Sequence, residues 1–349
     1  MGIQNLETNS RRYAIPRVLL LFLMFPFYFA YVVNIASLRF FSLIFDYFAF
    51  ARSKLTKNDK GLIYSKGNFP SKNESCRIVL LYAKDCHFNI HDINLLKNVF
   101  NKFSGHKAVV INCSCEQNPQ NHRLDVDFDF ILIKPNWGYD FDAYSTIISM
   151  FAASNFSTLT FVNNSIITLN LDNNWISVME EKSKTQESIV GLIQSISPRI
   201  HFQSFAFTIS KKALAPALLS WFKRIRPLRR KQAVVRFYEI GLAKKLQTLK
   251  VRVDYIFQCS EMQSISNSSW EKILGPYIHT PKYLAIKKRT QSGLGVNPTH
   301  HHWRFILSAN IPIIKKELIV SNPDDLPDVL QFITTEYPSA LSLLPKYYF

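Results

Sequence analysis

The sequence predicts an α/β protein built on an open, mostly parallel sheet with flanking helices. Short apolar runs typical of buried strands alternate with stretches of helical spacing between residues 78 and 162. This alternation predicts parallel strands, because each crossover helix returns the chain to the same end of the sheet. The length of 349 residues suits one large domain with appendages and is enough to bury a full core.

The N-terminal residues differ in composition from the rest. Val18 to Ala36 is almost wholly apolar and about as long as a helix that crosses a bilayer. The aromatic run Phe40 to Phe50 contains Asp46 and is too short to span, which favours a helix lying in the membrane interface. The alternative is a hydrophobic helix packed on the domain or on a partner subunit. We expect a membrane-associated helical segment over residues 1–51, a polar linker over 52–75 and the α/β domain over 76–349.

The net charge indicates which kinds of partner to expect, and the cysteine content indicates the redox compartment. The net charge of +17 predicts a phosphate-bearing ligand, an anionic membrane surface or nucleic acid. Basic residues beside an apolar segment favour the membrane, and no nucleic-acid-binding motif is present in the sequence. The five cysteines form no CxxC pair, so we expect neither a zinc ribbon nor a disulfide framework but reduced thiols in a cytosolic compartment.

The elements of the domain follow from the spacing of apolar residues. Strands are predicted where apolar residues are continuous over a few positions, and helices where they recur every three or four. The predicted strands are Ile78 to Ala83, Ala108 to Cys113, Phe128 to Ile133, Thr158 to Val162, Ile189 to Gln194, Phe202 to Ile209 and Val251 to Phe257. The predicted helices are Asp92 to Phe103, Tyr144 to Ala153, Ala213 to Arg224 and Ala233 to Leu249.

The first candidate site is the stretch Asn136 to Tyr144, between a predicted strand and a predicted helix. It combines Gly138 with the carboxylates Asp140 and Asp142. Ligands of open α/β sheets bind outside the carboxyl ends of the strands, where backbone amides are free to contact them. The polar turn at residues 163–165 ends the next strand and is expected to face the same crevice. The alternative is a structural turn whose Asp142 only caps the following helix.

Two later segments carry further candidates. Glu239 lies near the apolar face of a predicted helix, where it is either a paired structural carboxylate or a base tuned by partial burial. His300 begins a run of three histidines whose side chains point in different directions, which disfavours a shared metal ion. The preceding glycine-rich loop makes a phosphate contact by His300 the better hypothesis. No Walker loop, dinucleotide fingerprint or Gly-x-Ser-x-Gly elbow occurs, which disfavours kinases, dehydrogenases and hydrolases.

Motifs between Ile78 and Pro323 resemble, in the same order, those of the rhamnan synthesis protein F family. They are Pro135 to Tyr144, Phe161 to Ser165, His201 to Phe205, Tyr238 to Leu242, Asn297 to His300 with Trp303, and Ile314 to Leu318. The resemblance implies a GT-A-like glycosyltransferase that moves a sugar, typically rhamnose, from a nucleotide diphosphate donor to a cell-surface polysaccharide. Such enzymes work at the cytoplasmic face of the membrane on lipid-linked acceptors.

The resemblance and the strand-end placement together suggest roles for the candidates. Glu239 is the expected base, and Asp140 is expected to hold the donor beside it. Donor-binding roles fall to Asn136, Gly138, Tyr139, Asp142, Asn163, Asn164 and Ser165. Contacts to the acceptor are expected from His201 and Gln203, and contacts to the diphosphate from His300 and Lys315.

The sequence departs from the family pattern at one position. The family usually has Asn-Asp-Ser where this chain has Asn163-Asn164-Ser165, so an acidic residue that would help hold a divalent cation (Mg or Mn) is missing. Metal dependence is therefore in doubt, with Asp172 as a possible substitute. The rival hypothesis is a non-catalytic, membrane-associated scaffold of polysaccharide assembly that has a degenerate site.

Overall fold

A nine-stranded mixed sheet forms the centre of the protein. The structure is a computed structural model, and it describes residues 42–48, 50, 64–83, 88–113, 127–170, 174–294, 296–326 and 328–338. The strands in these ranges are β1 (Tyr64–Gly67), β2 (Ser75–Ala83), β3 (His106–Cys113), β4 (Phe130–Pro135), β5 (Thr158–Asn163), β6 (Ile166–Thr168), β7 (Ile189–Ser195), β8 (His201–Phe202), β9 (Ala206–Ser210), β10 (Val253–Phe257) and β11 (Ile313–Lys315).

The described helices flank this sheet. The first is α1 (residues 42–48). The others are α2 (Ile90–Phe100), α3 (Tyr139–Phe151), α4 (Trp175–Gln186), α5 (Pro216–Lys223), α6 (Lys231–Val234), α7 (Ile240–Thr248), α8 (Asn267–Leu274), α9 (Pro281–Gln291), α10 (Pro298–His301), α11 (Trp303–Ser308), α12 (Lys316–Val320) and α13 (Val329–Glu336). A π-helical turn, Val235–Glu239, joins α6 to α7.

The strand order is β1-β4-β3-β2-β5-β9-β7-β10, with β8 paired to β7. The pairs β4–β3, β3–β2, β2–β5 and β7–β10 are parallel, whereas β9 is antiparallel to both of its neighbours. Six strands therefore run in one direction, which confirms a mixed α/β fold with a mostly parallel sheet. A second, small sheet pairs β6 with β11.

Both faces of the sheet are covered, as a parallel sheet requires. In β2, Val79 and Leu81 belong to the core on one face, and Ile78 and Leu80 belong to the core on the other. The first core is completed by α2, α4, α8, α9, α11, α12 and α13, and the second by α3, α5, α6 and α7. This alternation explains why the central strands are continuously apolar in the sequence.

The N-terminal part of the structure touches the domain through α1. Asp46 is fully buried and pairs with Arg230 at 3.1 Å and with Arg236 at 2.8 Å. Phe50 stacks on Phe237 of the π-helical turn. No helix among the described residues is long and apolar enough to cross a membrane. The predicted span Val18 to Ala36 lies outside the described residues.

Three sequence-based expectations need correction. Residues 64–67, predicted as linker, form the edge strand β1, which pairs with β4. The single strand predicted over residues 202–209 is divided into β8 and β9. Cys113 is disulfide-bonded, so the expectation that all thiols are reduced is wrong; Cys76 and Cys259 are free.

Candidate active site

A cleft of ≈ 590 Å³ opens where β4 and β5 end and β9 begins. In chain order, β3 and β4 extend the sheet on one side of β2, and β5 extends it on the other. Such a reversal of strand order creates a crevice at the carboxyl ends of the strands, where open α/β sheets bind ligands. The cleft is lined by Tyr139, Asp140, Asn163, Ser165, Gln203, Ser204, Lys231, Glu239, Asn297, Thr299, His300, Lys315 and Lys316, among others.

Gly138 sets the direction in which α3 leaves β4. It is the N-cap of α3 and has a left-handed backbone, with φ of 79°. A Cβ atom there would lie 2.7 Å from both the Asp142 Cβ and the Pro227 Cα, so glycine is required for space as well as for conformation. Tyr139 also has a positive φ, 53°, an uncommon conformation for a residue with a side chain. This tight turn brings Asp140 to the floor of the cleft.

A chain of hydrogen bonds crosses the floor of the cleft from Asp140 to Lys315. Asn163 donates through Nδ2 to the Asp140 Oδ2 at 2.6 Å and accepts through Oδ1 from the Ser165 backbone N–H at 3.0 Å. The Lys315 Nζ donates to the Ser165 Oγ at 2.7 Å. The pairing of β11 with β6 sets Lys315 opposite Ile166 and so beside Ser165. The order of the two small strands thereby explains how residues far apart in sequence meet.

Burial changes the ionisation of both ends of this chain. It raises the pKa of Asp140, although the nearby Lys315 ammonium and the Asn163 amide oppose the change. Burial also lowers the pKa of Lys315 to about 8, although Glu239 and Asp140 lie close to it. Lys315 is therefore a cation near neutral pH that a further negative charge would stabilise.

Glu239 lies at the end of the π-helical turn and lines the cleft. Its Oε2 accepts a hydrogen bond of 2.5 Å from the Ser204 Oγ, and its Oε1 lies 3.4 Å from the His201 Nε2. Burial would raise the pKa of Glu239, but the hydrogen bonds from His201 and Ser204 outweigh it and hold the pKa below its usual value. A carboxylate has about four acceptor positions, so Glu239 can still accept a hydrogen bond from a ligand hydroxyl.

The third side of the cleft comes from the residues that follow β8 and from α10 with its N-cap. Gln203 donates through Nε2 to the Asn297 Oδ1 at 3.0 Å, and Thr299 donates to the same oxygen at 2.9 Å. The His300 Nδ1 lies 2.8 Å from the Asp324 Oδ2. Its Nε2 is buried, has no hydrogen-bond partner among the described residues and lies 4.0 Å from the Glu317 Oε2. Asp324 therefore orients His300 so that one ring nitrogen remains available to a ligand.

Most of the predicted site residues line one cleft, although they come from six segments of the chain. Those present are Asp140, Tyr139, Asn163, Ser165, Gln203, Glu239, His300 and Lys315. His201 does not line the cleft itself, but it contacts Glu239 from behind. Strand-end placement and the resemblance thus predicted which residues come together; their chemical roles remain predictions.

Four predicted donor ligands lie elsewhere or act through the backbone. Asp142 is 1% exposed and forms an ion pair with Lys134, so its role is structural. Asn164 points away from the cleft and donates to the Asp92 Oδ1 at 2.8 Å. Gly138 shapes the turn and Asn136 donates its backbone N–H to the Cys113 carbonyl at 3.1 Å. None of these four lines the cleft.

Sequence reasoning missed several residues that belong to the cleft. Ser204 and Asn297 lie within motifs of the resemblance, but their small polar side chains gave no separate signal of a role. Lys231 and Lys316 belong to basic runs that also suit a solvated surface. The contact between Asp324 and His300 could not be predicted from residue spacing, because Asp324 lies 24 residues later, in a turn after α12.

The described residues do not gather an evident metal site. No three His, Cys, Asp or Glu side chains in these parts of the chain come together in a way that could hold a metal ion. Asp172, the substitute suggested by the sequence, lies outside the described residues. We derive no step through a metal ion, and the divalent cation remains a prediction.

The fold and the cleft define an open α/β protein with a polar cleft at its strand ends. No protein-family model matches the chain. It is similar to the virulence protein VirA of Vibrio anguillarum, with 24% identity over 209 residues, which is 58% of this chain and 66% of VirA. A solved structure from Desulfovibrio desulfuricans G20, provisionally described as a nucleotide-diphospho-sugar transferase, has a TM-score of 0.34 and 9% identity over 63% of this chain and 97% of its own. Neither likeness shows a family, and the rhamnan synthesis protein F family is not confirmed.

Proposed function

We propose that this protein is a glycosyltransferase that uses a nucleotide diphosphate sugar, with rhamnose or a related deoxysugar as the first candidate. The observation that carries the proposal is one cleft whose lining combines a partly buried carboxylate, Glu239, with three lysines, Lys231, Lys315 and Lys316. A carboxylate can take the proton of an acceptor hydroxyl, and ammonium groups stabilise the charge on a departing diphosphate.

The proposed reaction is a displacement at the anomeric carbon of the donor sugar. The acceptor oxygen bonds to that carbon while the bond from the carbon to the diphosphate oxygen breaks. The bonding electron pair leaves with the diphosphate, and the hydroxyl proton passes to Glu239. In this scheme Lys315 and the free ring nitrogen of His300 contact the diphosphate, and Asp140 with Asn163 holds the hydroxyls of the donor sugar.

The test is a donor screen with the full-length protein. Uridine and thymidine diphosphate sugars are supplied with and without chelator, and release of the nucleoside diphosphate is measured. We expect Glu239→Gln to lose turnover while it retains donor binding, and Asp140→Asn to weaken donor binding. The matched control is Glu181→Gln, which changes an exposed glutamate on α4. Full turnover in both site variants would contradict the roles proposed for Glu239 and Asp140.

A second candidate is the non-catalytic scaffold, favoured by Asn164 at the position of the missing acidic residue. In the structure Asn164 instead ties the end of β5 to α2 and to Tyr82 of β2. Because Asn164 has this structural role and does not line the cleft, the absence of an acidic residue there is no evidence of lost activity. This weakens the case for a scaffold. Calorimetry separates the two functions, because a scaffold would bind no nucleotide diphosphate sugar.

We further propose that α1 docks on a membrane surface. Its side chains Phe45, Tyr47 and Phe48 are 60%, 56% and 69% exposed, and the basic segment 223–231 lies beside it through the Arg230 pair. Exposed aromatic residues next to cationic ones are typical of surfaces that bind anionic lipid headgroups. The apolar run that precedes α1 in the sequence agrees with this location.

The membrane proposal has a direct optical test. Phe48→Trp in the full chain should show a shift of tryptophan emission to shorter wavelength, relative to the parent protein, when vesicles containing phosphatidylserine are added. Leu294→Trp, at another exposed apolar position, should show none. Equal behaviour of the two variants would contradict the proposal. We keep the cytoplasmic face as the proposed side, although disulfides such as that of Cys113 are typical of oxidising compartments.

A further inference from the structure

A second, smaller pocket of ≈ 280 Å³ adjoins the cleft on the far side of Glu239. Four residues line both spaces: Gln203, Val235, Glu239 and Asn297. Ser195, at the end of β7, and His201, in β8, line the second pocket but not the cleft. Glu239 therefore lies at the junction of the two spaces and not at the end of one.

The lining of this second pocket differs in charge from that of the cleft. It contains no lysine or arginine, and its basic side chain, His201, is paired with Glu239, so no unpaired cation in it neutralises a phosphate or a carboxylate. It offers the hydroxyls of Ser195 and Ser197 and the amides of Gln203 and Asn297. The remaining walls are apolar, from Pro198, Val235, Ile240 and Val296.

An unsatisfied buried atom points to a missing ligand. The Gln203 Nε2 is held by the Asn297 Oδ1, which fixes the orientation of the Gln203 amide. The Gln203 Oε1 is buried and has no hydrogen-bond partner among the described residues. Buried acceptors without a partner are uncommon in folded proteins, and a ligand hydroxyl at this position would satisfy this one.

We infer that this second pocket binds the acceptor, and that the acceptor group is a neutral sugar ring. Hydroxyls and amides pair with the hydroxyls of such a ring, and the apolar walls cover its C–H faces. The ring would place one hydroxyl on Glu239, with the donor on the opposite side of the same carboxylate. This inference rests on the proposed function, because it assigns the second substrate of that reaction.

The experiment uses saturation-transfer NMR on the full chain with uridine or thymidine diphosphate in the cleft. The probes are methyl α-rhamnopyranoside and methyl α-glucopyranoside, with methyl glucuronide as the anionic comparison. Ser197→Trp fills the pocket from an exposed position, and Ser268→Trp is the matched control at an exposed serine on α8. Calorimetry with the same nucleotides on each protein reports separately whether the cleft is intact.

We expect the neutral glycosides to give a signal in the parent protein and in the control, and to lose it in Ser197→Trp. The glucuronide should give none, because its carboxylate would meet the Glu239 carboxylate, and the His201 side chain there is already paired with Glu239. An undiminished signal in Ser197→Trp, no signal from either neutral glycoside, or a stronger signal from the glucuronide would overturn the inference. Failure of the parent protein to bind any nucleotide would instead overturn the proposed function.

Discussion

Lys315 should make the affinity for a nucleoside diphosphate dependent on pH. Its ammonium donates to the Ser165 Oγ at 2.7 Å, and burial lowers its pKa to about 8 from an ordinary value of 10.5. A bound diphosphate stabilises the charged form, so above pH 8 binding must take up a proton. We expect the affinity to weaken about tenfold for each pH unit above 8, since one protonated group is required.

The same shift predicts the effect of Lys315 on stability. The unfolded chain binds this proton more tightly than the folded protein does. Below pH 8 Lys315 is protonated in both states, and its buried charge therefore lowers the free energy of unfolding. The penalty fades as the pH rises from about 8 to 10.5, and it amounts to at most about 3 kcal/mol. Lys315→Met should therefore stabilise the folded protein near neutral pH, less the lost hydrogen bond to Ser165, while it weakens nucleotide binding.

The assay is calorimetric titration of uridine and thymidine diphosphate between pH 7 and 9.5, with urea denaturation at the same pH values. Lys315→Arg is the control, because an arginine stays charged over this range and should make the affinity independent of pH. An affinity of the parent protein that is flat between pH 7 and 9.5 would refute the reasoning. So would a Lys315→Met variant that binds nucleotide as tightly as the parent protein.

Three further outcomes are expected. Asp142→Asn should lower the free energy of unfolding by about 3–5 kcal/mol in urea denaturation, because it leaves the Lys134 ammonium buried without its carboxylate. Gly138→Ala should destabilise by more than about 1 kcal/mol, since its Cβ would lie 2.7 Å from that of Asp142 and its φ is 79°. Asp324→Asn should lower turnover and shift the pH profile of transfer while leaving stability nearly unchanged, because this partly exposed carboxylate orients His300; an unchanged profile would contradict that role.

Much of the sheet could be predicted because its central strands are buried on both faces. Such strands are continuously apolar, and the runs beginning at Ile78, Ala108 and Ile189 all lie within observed strands. The direction of β9 could not be predicted, because a buried strand has the same pattern of apolar residues whether it is parallel or antiparallel to its neighbours. The edge strand β1 was also missed, since it is short, mostly exposed and ends in glycine.

The site shows most clearly where sequence reasoning ends. Nothing in the sequence placed Asp140 and Asp142 on opposite sides of a helix, because the helix was expected to begin only at Tyr144. The left-handed Gly138 instead begins α3 at Tyr139, so both carboxylates lie in its first turn. Residues two apart on a helix point about 200° away from each other, so when one carboxylate faces the cleft the other must face the core. The buried Lys134 stabilises Asp142 on the core side, and this leaves Asp140 for the ligand.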